Sequence, residues 1–240
     1  MPAGLQVIND NGILQVDESF KNMVLTQKGT VTLSRPSGVG AVPYQAAAYA
    51  TIAYPVSARQ PVLALRSNAL VCYLANDNGF TVFGSASGAI DYYIFDQIGF
   101  GTSAGNIGLQ VFDANGSEVF NSNNKYMKVL DLYSVELVVS NPGNPPTVPT
   151  YSGSVPSGKK LAVCMGVQST GYYIEGIGTP QQPAVMIRYW HCQCITPTDN
   201  TYTLSNSVIN IFGGPMLAQP GLSGSISPFS SGMILDVTGF

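Results

Sequence analysis

The sequence predicts an all-β protein, made of hairpin-rich antiparallel β-sandwich lobes with little or no α-helix. Three observations point there. Asn-Gly steps recur between short apolar runs, at Asn11-Gly12, Asn78-Gly79 and Asn115-Gly116. Asn and Gly tolerate the positive φ angles that tight hairpins demand. Apolar runs separated by turn chemistry follow one another at the spacing of an antiparallel sandwich or barrel. No stretch keeps an amphipathic helical period for three turns.

Residues 1–34 read as a hairpin and then a strand, with Lys28-Gly29 as a further turn between Met23–Thr26 and Thr30–Leu33. Residues 35–61 are rich in Gly, Pro and Ala. Val62–Leu65, Ala69–Leu74, Phe80–Phe83 and Ile90–Phe95 then form four apolar runs. A Gly-rich connection leads to a second copy of the opening pattern: 4–23 and 108–127 share eight identical residues of twenty, among them Gly4-Leu-Gln-Val with Gly108-Leu-Gln-Val, and Met23 with Met127. Strands continue over Tyr126–Ser140, where Val129, Asp131, Tyr133 and Val135 alternate with Leu130, Leu132, Ser134 and Glu136.

Asn141–Ser157 holds five prolines in seventeen residues. Proline lacks the backbone donor and fixes φ, so no ladder runs through it. The break divides the chain into an attachment domain over 1–139 and a β-rich domain over 158–240 with a Gly/Ser/Pro-rich tail. The segment 140–157 itself reads as either a linker or a long exposed loop within one domain. Further strands are expected near Leu161–Val167, Tyr172–Ile177, Ala184–Ile195 and Val208–Phe212.

Only 10% of residues are charged, against roughly 25% in an average soluble protein. Charge keeps monomers dissolved and discourages edge-to-edge pairing, so this surface suits a subunit largely covered by others, as a homo-oligomer or within a larger assembly. A charge-poor free sandwich is the plainer alternative. The net charge of −3 argues against nucleic acid, which requires clustered Lys and Arg. The stretch 37–58 is too polar for a membrane span, so no membrane insertion is expected. No secretory signal is legible at Met1-Pro-Ala-Gly-Leu-Gln6, and the four cysteines are expected to stay reduced.

Two segments carry a family resemblance. Asp91-Tyr-Tyr-Ile-Phe-Asp96, followed by Gly108-Leu-Gln-Val-Phe-Asp-Ala-Asn-Gly-Ser-Glu-Val-Phe-Asn-Ser122 and Lys125-Tyr-Met-Lys-Val-Leu-Asp131, resembles small uncharacterised-domain proteins of long-tailed bacteriophages, encoded near tail-tip and tail-fibre genes. The opening Met1–Asp10 and Gln15-Val-Asp17 resemble the start of such proteins. The likeness covers about 1–34 and 90–131. It implies a structural role in a tail tip or tail fibre: location in the virion after assembly in the host cytoplasm, and contact with other tail proteins. It brings no enzymatic motif. Under this reading 1–139 holds the attachment surface, and 158–240 carries whatever is particular to one virus.

Catalytic chemistry finds little support. His191-Cys192-Gln193-Cys194 puts both thiols on one strand face and the imidazole on the other, short of the four ligands that zinc needs; no metal is expected. His191 is the sole histidine, and no Gly-x-Ser-x-Gly elbow is present. A glycan depolymerase would require two opposed carboxylates, whereas Asp10, Asp77, Asp113 and Asp199 sit beside turns. The chain is read as a non-enzyme without cofactor. Tyr151, in the Pro-rich segment, and Tyr172-Tyr173, beside Gly171, are the candidates for contact with a partner or a host-surface glycan or protein, since exposed Tyr amid Gly, Asn and Ser makes adaptable recognition surfaces. Ordinary strand packing is their alternative. A free lectin-like module is the second reading of the whole chain.

Overall fold

The structure is a computed structural model that describes residues 7–8, 14–16, 22–35, 48–54, 57–99, 107–136, 151–168, 170–177, 185–197, 200–213, 223–227 and 229–240. Side chains are described over 22–35, 48–54, 57–99, 107–136, 151–168, 200–203 and 229–240. Every regular element among them is a strand. The first half contributes β1 (Val7–Ile8), β2 (Leu14–Val16), β3 (Met23–Leu33), β4 (Ala48–Ala53), β5 (Val62–Arg66) and β6 (Val71–Asn76). Next come β7 (Gly79–Gly84), β8 (Gly88–Gln97), β9 (Gln110–Phe112), β10 (Glu118–Asn121), β11 (Val129–Glu136) and β12 (Tyr151–Ser154). The rest are β13 (Leu161–Val167), β14 (Thr170–Ile177), β15 (Val185–Pro197), β16 (Thr201–Gly213), β17 (Ser223–Ser227) and β18 (Phe229–Asp236).

Two large antiparallel sheets carry the fold. One runs β11-β18-β13-β5-β8-β3; the other runs β12-β16-β15-β6-β7-β4, with β14 added beside β15 and β17 beside β14. The apolar runs become strands because their alternate residues meet two different cores. On β8, Ile90 and Ile94 join Leu63, Leu65, Val163 and Ile234, together with Ile52, Phe80, Val82 and Tyr202 from the other sheet. Tyr93 and Phe95, one residue out of phase, join Ala64, Ala162, Leu235 and Val237 in a second cluster. The six-stranded sheet is therefore buried on both faces, and each fully buried Leu or Ile contributes roughly 1.5–3 kcal/mol. Phe240 helps to cover the second face, with its ring centroid 6.5 Å from Tyr93 and 6.0 Å from Phe95.

The strand pairing does not follow the expected division at 140–157. Cys164 pairs with Ala64, Tyr133 with Gly232, and Ile195 with Val71. Strands from 1–139 and from 158–240 thus share both large sheets, and 140–157 itself contains β12 (Tyr151–Ser154), which pairs with β16. The expectation that no ladder runs through the proline-rich stretch is corrected as well: Thr150–Val155 holds no proline, and four of its residues pair with β16.

The Lys28-Gly29 turn is also corrected. β3 runs straight through, with Lys28 opposite Tyr93 and Gly29 opposite Tyr92. A Cβ on Gly29 would lie 2.8 Å from the Tyr92 hydroxyl oxygen, so this glycine makes room for a cross-strand ring.

The two repeat copies form small sheets of their own, β1 with β2 and β9 with β10. Asn11 and Gly12, between β1 and β2, lie outside the described residues. Asn115 and Gly116 do form a turn: Gly116 has φ +78°, and the Asp113 carboxylate accepts from the backbone N–H groups of Asn115 (2.9 Å) and Ser117 (2.8 Å). The Asn78-Gly79 turn falls one residue earlier than expected. Gly79 is already paired with Asn76, leaving Asp77-Asn78 as the loop, and a Cβ at Gly79 would overlap the Ile52 carbonyl oxygen.

The exits of the two copies meet. The Met127 N–H donates to the Met23 carbonyl (2.9 Å) and the Leu25 N–H to that of Lys125 (2.7 Å). Met23 and Met127 are equivalent positions of the repeat, so the two copies lead into segments that meet here. Because Met23 begins β3 and Met127 leads into β11, this contact ties together the two outermost strands of the six-stranded sheet. At its other end β3 is bridged to the eight-stranded sheet by Ser34 and Tyr49.

Candidate functional site

One region of the described surface combines exposed apolar side chains with the outermost strands of both large sheets: the side of the sandwich formed by β11 and β12. Each is the outermost strand of its sheet. A bare edge presents a row of backbone donors and acceptors able to take another strand.

Tyr202 ties the two edges together. It comes from β16, next to β12, and its hydroxyl donates to the Asp131 carboxylate on β11 at 2.8 Å. Its ring is wholly buried, and it fits only because Gly153 on β12 has no side chain; a Cβ there would overlap the Tyr202 ring. Tyr133 packs on it from β11 at 6.5 Å and Tyr151 from β12 at 6.3 Å. Gly232, beneath the Tyr133 hydroxyl, is a second glycine whose Cβ would collide. Burial pushes the Tyr202 phenol well up, and the neighbouring Asp131 adds to it. Burial, then Cys164, does the same to Tyr133. Both phenols therefore stay neutral at physiological pH: Tyr202 packs and donates to Asp131, whereas the buried Tyr133 hydroxyl packs without a hydrogen-bond partner among the described residues.

On these edge strands and on β18 beside β11, Leu132 (68% exposed), Phe229 (54%), Val129 and Tyr151 present apolar surface to solvent, with Leu132, opposite Met233, on the outer face of its sheet, away from Tyr202. Tyr151 heads β12, where it pairs with Leu204, and so remains available for contact. Tyr172 and Tyr173 lie on β14, which is paired on both sides: Tyr172 with Trp190 and Gly224, Tyr173 with Tyr189 and Ser223. Their side chains lie outside the described residues, as do those of His191, Cys192 and Cys194. The structure therefore does not bring Tyr172 and Tyr173 together with Tyr151 in one described site. Leu132 and Phe229 were not singled out in the sequence. Leu132 had a signal there, since it shares its alternation with Ser134 and Glu136.

Chemically, this side can take up protein by strand addition or by apolar and aromatic contact. Among the described residues, no group of three or more His, Cys, Asp or Glu side chains could hold a metal ion. Cys72 and Cys164 are buried and in no disulfide, and burial pushes the Cys164 thiol up to about 11. No described helix is long and apolar enough to cross a membrane. Compared with protein-family models, curated proteins and solved structures, the chain matches none.

The structure also gives physical content to the Asp91–Asp96 motif. Tyr93 and Phe95 fill the second core. Asp96, 1% exposed, accepts from the backbone N–H groups of Arg59 (2.8 Å), Gln60 (3.1 Å) and Gln97 (2.7 Å). One carboxylate thus fixes the approach to β5.

Proposed function

We propose that this chain is a structural, non-catalytic component of a bacteriophage tail tip or tail fibre, assembled in the host cytoplasm and built into the virion through the β11–β12 side. The observation that carries the reading is the coincidence of outermost strands, unpaired on one side among the described residues, with exposed Leu132, Phe229 and Tyr151 in a chain with only 10% charged residues. Such a surface is protected in a free protein by charge, bulges or cover; a neighbouring subunit supplies the same protection. The partner under this reading is a tail-tip hub or fibre subunit, or a further copy of the chain. The likeness of 1–34 and 90–131 to tail proteins supplies the setting.

Mass spectrometry of purified virions, with copy number, tests it together with light scattering of the isolated protein. We expect the chain in virions and oligomers in solution, with Leu132→Lys and Phe229→Lys shifting the solution species toward monomer. A monodisperse parent monomer that binds no tail protein and is missing from virions would sink the reading. It would favour the second, a stand-alone binding module, which the exposed ring of Tyr151 supports.

A further inference from the structure

A different face of the molecule carries a feature that assembly does not require. On the outer side of the six-stranded sheet, β3 and β8 form the floor of a pocket of about 250 Å³, smaller than the 300–1,000 Å³ usual for drug-sized ligands and suited to one small polar group. Cross-strand register sets its chemistry: Lys28 stands opposite Tyr93 and Thr30 opposite Asp91. Lys160, at the start of β13, and Phe240, folded back over Tyr93, form the remaining walls.

These groups are held in place and differ in kind. The Asp91 carboxylate accepts from the Thr30 hydroxyl at 2.9 Å, and its other oxygen is 3.6 Å from the Lys160 ammonium. Asp91 and Lys160 both keep about two fifths of their side chains open to solvent, so each can also reach a ligand. The Lys160 backbone is pinned by its N–H to the Thr238 hydroxyl (2.8 Å) and by its carbonyl to the Val237 N–H (2.8 Å). Lys28 is exposed and has no polar partner among the described residues. Nearby, Lys128 lies 5.9 Å from the centre of the Phe240 ring. In a chain of net charge −3, the pocket walls hold two cations against one carboxylate.

We propose that this pocket binds a carboxylated sugar residue, presented by an acidic glycan. The ligand carboxylate pairs with Lys28. Ring hydroxyls donate to Asp91 and exchange hydrogen bonds with Thr30, and the apolar face of the sugar rests against Phe240. The mixture selects the class. A neutral sugar leaves Lys28 without a counter-charge, and an inorganic anion, having no ring hydroxyls to offer, meets the Asp91 carboxylate as a like charge. The inference goes beyond the assembly role, and its test involves no virion, so either can fail without the other.

The experiment titrates the full chain with trigalacturonate, with maltotriose and with inorganic phosphate, by calorimetry at low salt and again at high salt, where an exposed ion pair is screened. We expect saturable binding of trigalacturonate that weakens with salt and is at least about tenfold tighter than that of either other probe. Lys28→Ala and Lys28→Glu should each weaken it about tenfold or more while leaving the melting temperature unchanged, because Lys28 is exposed. Asp91→Asn should weaken it as well. The proposal is overturned if the parent shows no saturable trigalacturonate binding, if maltotriose or phosphate binds equally well, or if both Lys28 variants bind like the parent.

Discussion

Replacing Asp96 by Ala should unfold the molecule at a markedly lower temperature. The carboxylate is almost completely buried and accepts three backbone N–H groups at 2.7–3.1 Å. Hydrogen bonds to a charged acceptor contribute about 1.5–3 kcal/mol each, and a buried donor left without a partner costs about 1–3 kcal/mol. Three such bonds converging on one group do not add independently, and some water can enter the vacated space. A net loss of about 3–5 kcal/mol follows. For a chain of this size each kcal/mol moves the midpoint by roughly 2–4 °C, so the variant should melt at least about 6 °C below the parent. Asp113→Ala is the matched control, because that carboxylate also accepts two backbone N–H groups, at 2.9 and 2.8 Å, but at the exposed end of a hairpin. Water replaces it there, and the loss should stay near 1 kcal/mol. Thermal denaturation followed by circular dichroism reads both. Equal midpoints for Asp96→Ala and the parent would refute the view that this carboxylate anchors the approach to β5.

Two glycines should respond in opposite ways to Asn. Gly116 has φ +78° and open space around it, so Gly116→Val should cost about 1–3 kcal/mol while Gly116→Asn is nearly neutral. Gly79 is excluded from substitution by the Ile52 carbonyl, so Gly79→Asn should destabilise as much as Gly79→Ala; thermal melts of the four variants check this. For Asp236, burial alone would raise the carboxyl, but hydrogen bonds from Thr238 and the Lys159 ammonium at 3.0 Å outweigh it and hold it below its ordinary 3.8. Its contribution to stability is therefore present above that pH and lost as the pH falls through the lowered value. Acid titration of the melting temperature should show a drop there that Asp236→Asn lacks. With its thiol at about 11, Cys164 is thiolate in about one molecule in a thousand at pH 8; peptide-resolved alkylation should mark it only after denaturation.

The strands over 62–97 were legible because alternation and turn residues agree there: four runs became β5, β6, β7 and β8, each within a few residues of its expected bounds. Gly29 misled because a glycine opposite an aromatic looks, in one dimension, like a turn. Gly79 misled by one position because Asp77-Asn78 and Asn78-Gly79 are both good turn pairs, and the choice was made by β4 pressing against Gly79. The shared sheets were illegible for a deeper reason. Pairs such as Leu161 with Asp236 or Val163 with Leu65 are fixed by shape and burial over long chain separations, which no local pattern records. Of the candidate contacts, Tyr151 is exposed on an edge, but its base, Tyr202 over Gly153, joins residues some fifty positions apart. The pocket at Lys28 draws on residues from both ends of the chain and left no motif at all.

β18 is the last strand in chain order, yet it lies inside its sheet, between β11 and β13. As the chain is made, β11 and β13 have no strand to lie between them until β18 has been synthesised. Until then Leu161, Val163 and Tyr133 lack Ile234 as a neighbour, and the sheet has two raw borders instead of one continuous surface. Closure of this sheet therefore waits for β18, and a piece that lacks β18 cannot complete it. A fragment ending at Ser157 would lose both β13 and β18, leaving β11 with nothing to pair with in its sheet. Such a fragment should aggregate.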